Sequence, residues 1–286
     1  MVGSSRPDAG SGGLTTTGAR ARPVVGVVGA GQLARMMAPP SIQLDLDLRL
    51  LAARPDDSAA QVIPATTVGD ERGLPDLQRF AADLDVLTFD HEHVPTAHLH
   101  ALQAEQVVVR PGPHALPYAT DKAVMRRGLR AAGIPLPRFA VIETPEELPE
   151  AVEAVGGWPV VLKTARGGYD GKGVWTAQGP DESADVFLAR VPVVVEDRVP
   201  FVRELAAVVA RSPSGQAVSY PVVESVQRDG ICVEVVAPAP GLSQETASAA
   251  QQLALEVAER VDVVGVLAVE LFELADGRVL VNELAM

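Results

Sequence analysis

Aromatic residues, basic residues and long apolar segments are scarce in this sequence. Aromatic residues make up 4% of its 286 residues, and 24 lysines and arginines face 37 acidic residues, so the formal net charge is -13. No segment combines clustered basic and aromatic residues, and we therefore expect no nucleic-acid partner. Charges, glycine or proline interrupt every apolar run before the roughly 20 residues that a membrane-spanning helix needs, so we expect no membrane partner.

The sequence has one cysteine, Cys232, which cannot form an internal disulfide. This suits a reducing compartment, and we expect a cytoplasmic protein. Cys232 lies in an apolar run that is typical of a strand, so we interpret it as a structural thiol. Residues 1–22 are rich in glycine, serine, threonine and arginine, without the apolar centre of a secretory signal, and predict a disordered tail. The absence of an amphipathic repeat disfavours a transit peptide.

After residue 22, short apolar runs alternate with helical patterns. Residues 23–28, then Gly29-Ala30-Gly31 and the apolar spacing of residues 32–37 predict a strand, a tight turn and a helix. Pro39 and Pro40 are expected to kink or end this helix, before a strand in the alternating residues 42–50. Further predicted elements are strands at 86–89 and 107–109, a helix at 74–82 and a linker at 110–117. This order predicts an α/β domain with a parallel sheet covered on both faces.

The second half of the chain predicts a different arrangement. Thr120 is expected to cap a helix that ends near Gly133. The other predicted elements are helices at 146–154 and 243–261 and strands at 159–164, 174–177, 193–196, 201–211, 217–224, 231–237, 265–274 and 278–285. We therefore divide the chain at 1–22, 23–117, 118–190 and 191–286.

The last two strands meet at Asp276-Gly277, a dipeptide that favours a tight hairpin. If these are the two loop residues, Glu270 lies directly opposite Glu283, with both side chains on one face. Two facing carboxylates repel unless a positive charge lies between them, and Mg²⁺ commonly uses one or two carboxylates together with water and phosphates. The alternative is that both carboxylates face solvent at a sheet edge.

A glycine-rich loop, Gly167-Gly168-Tyr169-Asp170-Gly171-Lys172-Gly173, follows the strand that carries Lys163. Its glycines let backbone N–H groups approach an anion, which favours phosphate binding. The loop lacks the Walker A pattern, and a glycine-rich hairpin without a ligand is the alternative. Lys163 could reach a phosphate, although a lone lysine at a strand end is usually just solvated.

Two further motifs are weaker. Residues 29–34 fit the G-x-G-x-x-A pattern of a dinucleotide fold, but the expected ribose-binding acid is replaced by Arg54, which disfavours NAD and is compatible with NADP. The histidines between residues 91 and 100 suggest zinc only superficially, because no cysteine or H-E-x-x-H spacing accompanies them. Glu92 follows a parallel strand, at the sheet edge where ligands bind, and is expected to contact substrate.

Six segments occur together in the order of one family: GAGQLARM, TFDHEHVP, KTARGGYDGKG, VEDRVPFVRELAAVVAR, YPVVES and GVLAVELFELADGRVLVNELA. Over residues 23–285 the chain resembles the 5-(carboxyamino)imidazole ribonucleotide synthase family of the ATP-grasp superfamily. The resemblance implies a Rossmann-like pre-ATP-grasp domain followed by an ATP-grasp fold, which has a lid subdomain and an antiparallel sheet subdomain. Members of the family continue into a small C-terminal domain that is missing here.

The resemblance also implies residue roles. It assigns Lys122, Lys163, Gly168, Gly171 and Gly173 to the ATP phosphates, Glu196, Asp197, Arg198 and Val199 to adenine, Glu204 to ribose and, loosely, Gln227 to the nucleotide. It assigns Glu270, Asn282 and Glu283 to Mg²⁺ and the triphosphate. Tyr169, Asp170 and Lys172 are the implied catalytic residues, and Gly31, Gln32, Leu33 and Glu92 the implied substrate-binding residues.

The implied reaction uses ATP and bicarbonate to carboxylate the exocyclic amine of aminoimidazole ribonucleotide in purine biosynthesis, through carboxyphosphate, and the family resemblance implies a homodimer. Because the family's C-terminal arginine and histidine are missing, we expect ATP and Mg²⁺ contacts but weak or no carboxylation by this chain alone. The alternatives are another ATP-grasp ligase such as biotin carboxylase, a catalytically silent nucleotide-binding fragment and, more distantly, an NADP-dependent dehydrogenase.

Overall fold

The computed structural model describes residues 22–168, 172–228 and 230–286. The tail predicted up to residue 22 therefore lies outside the described residues, except for its last residue. Tyr169, Asp170 and Gly171 of the glycine-rich loop also lie outside them. Across the described ranges, no helix combines the length and the apolar character needed to cross a bilayer.

The N-terminal domain is built on a four-stranded parallel sheet in the order β3-β2-β1-β4. Successive residues of its central strands face opposite sides, so that Val27 and Leu50 belong to one apolar core and Val28 and Leu51 to another. This confirms the predicted parallel sheet with two covered faces. Its elements are β1 (Val24–Val28), α1 (Gln32–Gln43), β2 (Asp47–Ala52), β3 (Thr66–Val68), α2 (Leu74–Ala81), β4 (Val86–Phe89) and α3 (Thr96–Ala104).

Two predictions for this domain are wrong. The α1 helix continues through Pro39 and Pro40, because the Pro40 carbonyl still accepts a hydrogen bond from Leu44 N at 2.9 Å, and the next strand begins only at Asp47. Residues 107–109 form a single bridge, between Val109 and Leu87, rather than a strand.

The middle of the chain forms an antiparallel sheet in the order β5-β8-β6-β7, packed against α6. The predicted cap at Thr120 is wrong, because Thr120 ends a short helix. Asp121 caps the next helix instead, and its Oδ1 accepts from Ala123 N at 2.9 Å and Val124 N at 3.0 Å. The elements are α4 (Pro117–Thr120), α5 (Lys122–Ala131), β5 (Phe139–Ile142), α6 (Leu148–Val155), β6 (Val160–Thr164), β7 (Val174–Ala177) and β8 (Val193–Asp197).

The C-terminal part is a larger antiparallel sheet in the order β12-β11-β9-β13-β14, with β10 paired to β9. One face packs against α7 through residues such as Leu205 and Val269. Because side chains alternate along a strand, Glu204 and Glu270 lie on the opposite face. The elements are β9 (Phe201–Arg211), β10 (Ala217–Ser219), β11 (Val223–Arg228), β12 (Ile231–Val236), α7 (Gln244–Arg260), β13 (Gly265–Leu274) and β14 (Val279–Ala285).

Two further corrections concern this sheet. The strand predicted at 217–224 is divided between β10 and β11, since Pro221 between them has no backbone N–H to donate. Cys232 is exposed on the edge strand β12, so its interpretation as a structural thiol is wrong.

Candidate functional site

A cleft of about 1130 Å³ lies between the two antiparallel sheets. Lys163 and Glu196 enter it from β6 and β8, while Glu204 and Glu270 enter from β9 and β13. The structure thus brings together residues that are far apart in the sequence. The predicted site residues that line the cleft are Lys163, Glu196, Asp197, Arg198, Val199, Glu204, Gln227, Glu270, Asn282 and Glu283.

The hairpin between β13 and β14 pairs Glu270 with Glu283, as predicted. The predicted two-residue loop is nevertheless wrong. Leu274 N donates to Arg278 O at 2.8 Å, which leaves three residues in the loop and by itself would place Glu270 opposite Asn282. A one-residue bulge at Asn282 shifts the register and restores the Glu270–Glu283 pair.

The positive charges near the Glu270 carboxylate do not compensate for its burial and for the neighbouring carboxylates. Burial, together with the charges of Glu283 and Glu204, raises the pKa of Glu270 from 4.5 to about 7, and Lys122 and Lys163 only partly oppose this shift. Burial also raises the pKa of Glu204, against the effect of Lys163. A carboxylate held in this way is stabilised when a cation approaches it.

This donor set fits Mg²⁺ better than a metal held by protein ligands alone. Within the described ranges, no group of three or more histidine, cysteine, aspartate or glutamate side chains is arranged to hold a metal ion. Glu270 and Glu283 supply two facing carboxylates, which is the number that Mg²⁺ commonly takes from a protein when phosphates and water complete its shell.

Two lysines lie beside these carboxylates. Lys122, the first residue of α5, donates from Nζ to Glu283 Oε1. Lys163 Nζ donates to Asn282 Oδ1 at 3.0 Å and lies 2.9 Å from Glu196 Oε2. Both lysines are buried. Each ammonium is therefore held in place at the carboxylate end of the cleft.

Arg126 completes this network and was missed from the sequence. Its Nε donates to Glu196 Oε1 at 2.5 Å, and its side chain is fully buried. Burial raises the pKa of Glu196, but the charges of Arg126 and Lys163 outweigh burial and lower it to about 2. One feature of the sequence could have indicated this role: Arg126 is a charged residue on the side of α5 that also carries the buried residues Met125 and Leu129.

Aromatic rings also line the cleft. Phe201 and Phe272 stack with centroids 4.6 Å apart and an interplanar angle of 9°. Nearby, Arg138 Nε contacts Asp197 Oδ2 at 3.1 Å. This aromatic pair was not predicted, although Phe272 follows Glu270 by two residues and so lies on the same face of β13. The cleft therefore combines an apolar surface, suited to a flat ring, with charged groups.

The base of the glycine-rich loop is tightly closed. Thr164 N donates to Gly173 O at 2.9 Å, and Gly173 has a φ of 77°. A Cβ at Gly168 would lie 2.7 Å from Lys172 O, so the backbones cross too closely for any other residue. Lys172 itself is exposed, while the other two predicted catalytic residues, Tyr169 and Asp170, lie outside the described residues.

The N-terminal domain contributes a second group of predicted residues. Asp90, which was not predicted, accepts hydrogen bonds from Gly31 N and from Ala34 N at 2.8 Å, so its carboxylate occupies the N-terminus of α1. Glu92 Oε1 accepts from Met286 N at 2.8 Å. Burial raises the pKa of Glu92, and the charge of Glu283 raises it to a lesser extent.

Several predicted residues are not among those that line the cleft: Gly31, Gln32, Leu33, Glu92, Lys122, Gly168, Lys172 and Gly173. The weaker motifs have other contacts. His91 Nε2 lies 3.1 Å from Glu71 Oε2 and its ring stacks on His93 at 5.3 Å. Arg54, the cation considered for NADP binding, instead forms an ion pair with Asp57, with Nη2 2.8 Å from Oδ1.

Comparisons with known proteins agree with this geometry. Residues 127–286 match the ATP-grasp domain and residues 23–120 match the ribonucleotide synthetase preATP-grasp domain. N5-carboxyaminoimidazole ribonucleotide synthase from Mycobacterium tuberculosis (strain ATCC 25618 / H37Rv) is 52% identical over 270 residues, covering 92% of this chain and 62% of the relative. The protein of the same name from Synechocystis sp. is 36% identical, covering 91% of this chain and 68% of the relative.

The structural comparison gives the same relatives. N5-carboxyaminoimidazole synthase from Aspergillus clavatus, in complex with ADP and 5-aminoimidazole ribonucleotide, superposes with a TM-score of 0.83 at 31% identity, covering 92% of this chain and 69% of that one. The chain spans about 62% of the length of the mycobacterial relatives that it matches.

Proposed function

Because this chain belongs to the N5-carboxyaminoimidazole ribonucleotide synthase family of ATP-grasp proteins, we propose that it uses ATP and bicarbonate to carboxylate the amino group of 5-aminoimidazole ribonucleotide. One observation carries this proposal: Glu270 and Glu283 face each other in a cleft that is also lined by Lys163 and by a stacked aromatic pair. A nucleoside triphosphate has groups that match these features, a flat ring and anionic phosphates that bind Mg²⁺ and lysine.

The nucleotide is held along the cleft. Its adenine lies between the Phe201–Phe272 pair and the segment formed by Asp197, the last residue of β8, and the following Arg198 and Val199. The half-buried carboxylate of Glu204 accepts hydrogen bonds from the ribose hydroxyls.

The phosphates lie beside the Glu270–Glu283 pair. Lys163, held by Asn282 and Glu196, donates to them, and so does Lys122. Glu270 and Glu283 hold Mg²⁺, which when bound neutralises part of the triphosphate charge. Asn282 keeps Lys163 next to this pair.

The reaction proceeds in two steps. A bicarbonate oxygen attacks the γ-phosphorus of ATP, the bond to the bridging oxygen breaks, and ADP leaves with the electron pair, which gives carboxyphosphate. The amino nitrogen of 5-aminoimidazole ribonucleotide then forms a bond to the carboxyl carbon, phosphate leaves, and the nitrogen loses a proton. The protein contributes mainly positioning and fixed charge, as is usual in phosphoryl transfer.

The glycine-rich loop closes over the phosphates and excludes water from carboxyphosphate. Tyr169 and Asp170 are the proposed contacts to bicarbonate and the aminoimidazole, and Lys172 is the proposed cation beside them. The substrate ribonucleotide lies toward Gly31, Gln32, Leu33 and Glu92. The Glu92–Met286 hydrogen bond supports this placement, because it joins the N-terminal domain to the strand that carries Glu283.

The experiment is an ATP hydrolysis assay with Mg²⁺ and bicarbonate, with and without 5-aminoimidazole ribonucleotide. The proposal expects turnover that the ribonucleotide stimulates. ATP binding without stimulated turnover would support a nucleotide-binding fragment, and failure to bind ATP would refute the proposal. A cytoplasmic homodimer is proposed from the family relationship, and light scattering after size-exclusion chromatography tests its stoichiometry.

A further inference from the structure

Arg126 is a permanently buried charge behind the nucleotide cleft. Its guanidinium is fully buried and donates to Glu196 Oε1 at 2.5 Å, while Glu196 Oε2 lies 2.9 Å from Lys163 Nζ. Lys163 and Glu196 line the cleft. One carboxylate thus bridges two cations, of which Lys163 reaches the space where we place the phosphates.

The charges of this triad explain why a second cation is present. Without Arg126, Glu196 and Lys163 would form a neutral pair, and the carboxylate would compete with phosphate for the lysine ammonium. With Arg126 the triad carries one net positive charge. Because Arg126 is fully buried, that charge is presented to the cleft through Lys163.

We propose that Arg126 is a positioning residue for nucleotide phosphates, which neutralises Glu196 so that Lys163 keeps its charge for the ligand. This inference rests on the proposed nucleotide binding. A second contact supports it: Arg126 Nη1 donates to Val281 O at 3.5 Å, and the neighbouring residue Asn282 is the other partner of Lys163. Arg126 therefore contacts one group that holds this lysine and the backbone next to the other.

A purely structural ion pair is a weaker explanation. Arg126 Nη2 is buried without a hydrogen-bond partner in the described part of the chain, which is unfavourable for stability. Buried ion pairs often stabilise a fold no better than apolar residues of similar size. An arginine selected only for stability would be expected to use all its donors.

The test compares ADP with adenosine, which lacks phosphates, by calorimetric titration in EDTA so that a metal does not contribute. Arg126→Gln should weaken ADP at least about tenfold, since even a screened unit charge near a phosphate is worth that much. Adenosine should change by less than about twofold, and Arg126→Lys should retain most of the ADP affinity. The matched control is Arg127→Gln, which removes the exposed neighbouring arginine of the same helix.

The double variant Arg126→Gln/Glu196→Gln gives a sharper test. Because it leaves no unpaired buried carboxylate, it also serves as the test if Arg126→Gln alone fails to fold. It restores one net positive charge, so it should bind ADP more tightly than Arg126→Gln. If Arg126→Gln does not fold, the reference is the unmodified chain: the double variant should then bind ADP within about threefold of it, and a loss of about tenfold or more would overturn the inference. Equal weakening of ADP and adenosine, unchanged ADP binding by folded Arg126→Gln, or a double variant no better than Arg126→Gln would overturn the inference. Failure of the unmodified chain to bind ADP would instead overturn the proposed function, and this inference with it.

Discussion

Asp90 offers a direct test of how the two loops of the N-terminal domain are held together. Its carboxylate comes from the loop after β4 and accepts hydrogen bonds from Gly31 N and Ala34 N at the start of α1. Asp90→Ala leaves both N–H groups without this acceptor. Loss of a helix N-terminal cap costs up to about 2 kcal/mol, and water can replace part of a partly buried interaction, so we expect a loss of about 2 kcal/mol.

For a chain of this size, that loss corresponds to a decrease in Tm of about 4–8 °C. Thermal unfolding followed by circular dichroism measures it. Asp90→Asn should have a smaller effect, because its amide oxygen can still accept while its amino group cannot. Asp83→Ala, which removes an exposed aspartate of the same domain, is the control for a simple loss of charge.

A second substitution tests the contact itself. A Cβ at Gly31 would clash with Asp90 Oδ2, and the φ of Gly31 is -80°, a value that alanine adopts freely. Gly31→Ala should therefore destabilise the unmodified chain by about 1–3 kcal/mol through overpacking. In the Asp90→Ala background it should cost much less. Equal costs in the two backgrounds would refute the reasoning, because the penalty would then not come from Asp90.

Two further predictions concern the network around the cleft. Asp121→Ala removes the cap of α5 and the 2.8 Å contact to Arg166 Nε. We expect the free energy of unfolding, measured in urea, to fall by about 1–2 kcal/mol. ADP binding, measured by titration, should also weaken because α5 begins at Lys122, and unchanged stability would contradict the role of Asp121. The pKa of Glu196 is lowered to about 2 from a usual value of 4.5, so its stabilising contribution is complete above pH 4.5 and decreases as pH falls toward 2. Urea unfolding at several pH values should show a steeper loss between pH 4.5 and 2 for the unmodified chain than for Glu196→Gln, and parallel curves would contradict this assignment.

Local sequence patterns were sufficient for much of the fold. The alternation of apolar residues gave β9 and β13 with their observed bounds, and the strand, glycine turn and helix at the N-terminus were also confirmed. Patterns failed where a contact distant in sequence or a single backbone adjustment decides the structure. The α1 helix passes through two prolines, and the Glu270–Glu283 pair depends on a bulge at Asn282 that compensates for a longer loop.

The site was predictable where a residue type limits the chemistry. Glycines that cross closely, lysines at element ends and paired carboxylates are visible in the sequence. Arg126 and Asp90 were missed because their partners, Glu196 and the backbone of Gly31 and Ala34, are about 60 to 70 residues away in sequence. Only the tertiary structure reveals such pairs.

The central claim is that Glu270 and Glu283 bind Mg²⁺ together with the nucleotide phosphates, and the Mg²⁺ dependence of ADP affinity tests it most directly. In calorimetric titrations with Mg²⁺ and with EDTA, Mg²⁺ should strengthen ADP binding by the unmodified chain. In Glu270→Gln, the Mg²⁺-dependent gain in ADP affinity should be at least about tenfold smaller than in the unmodified chain. In EDTA, this variant should bind ADP at least as tightly as the unmodified chain, because a negative charge near the phosphates is removed. If Glu270→Gln keeps the full Mg²⁺-dependent gain, the account is contradicted.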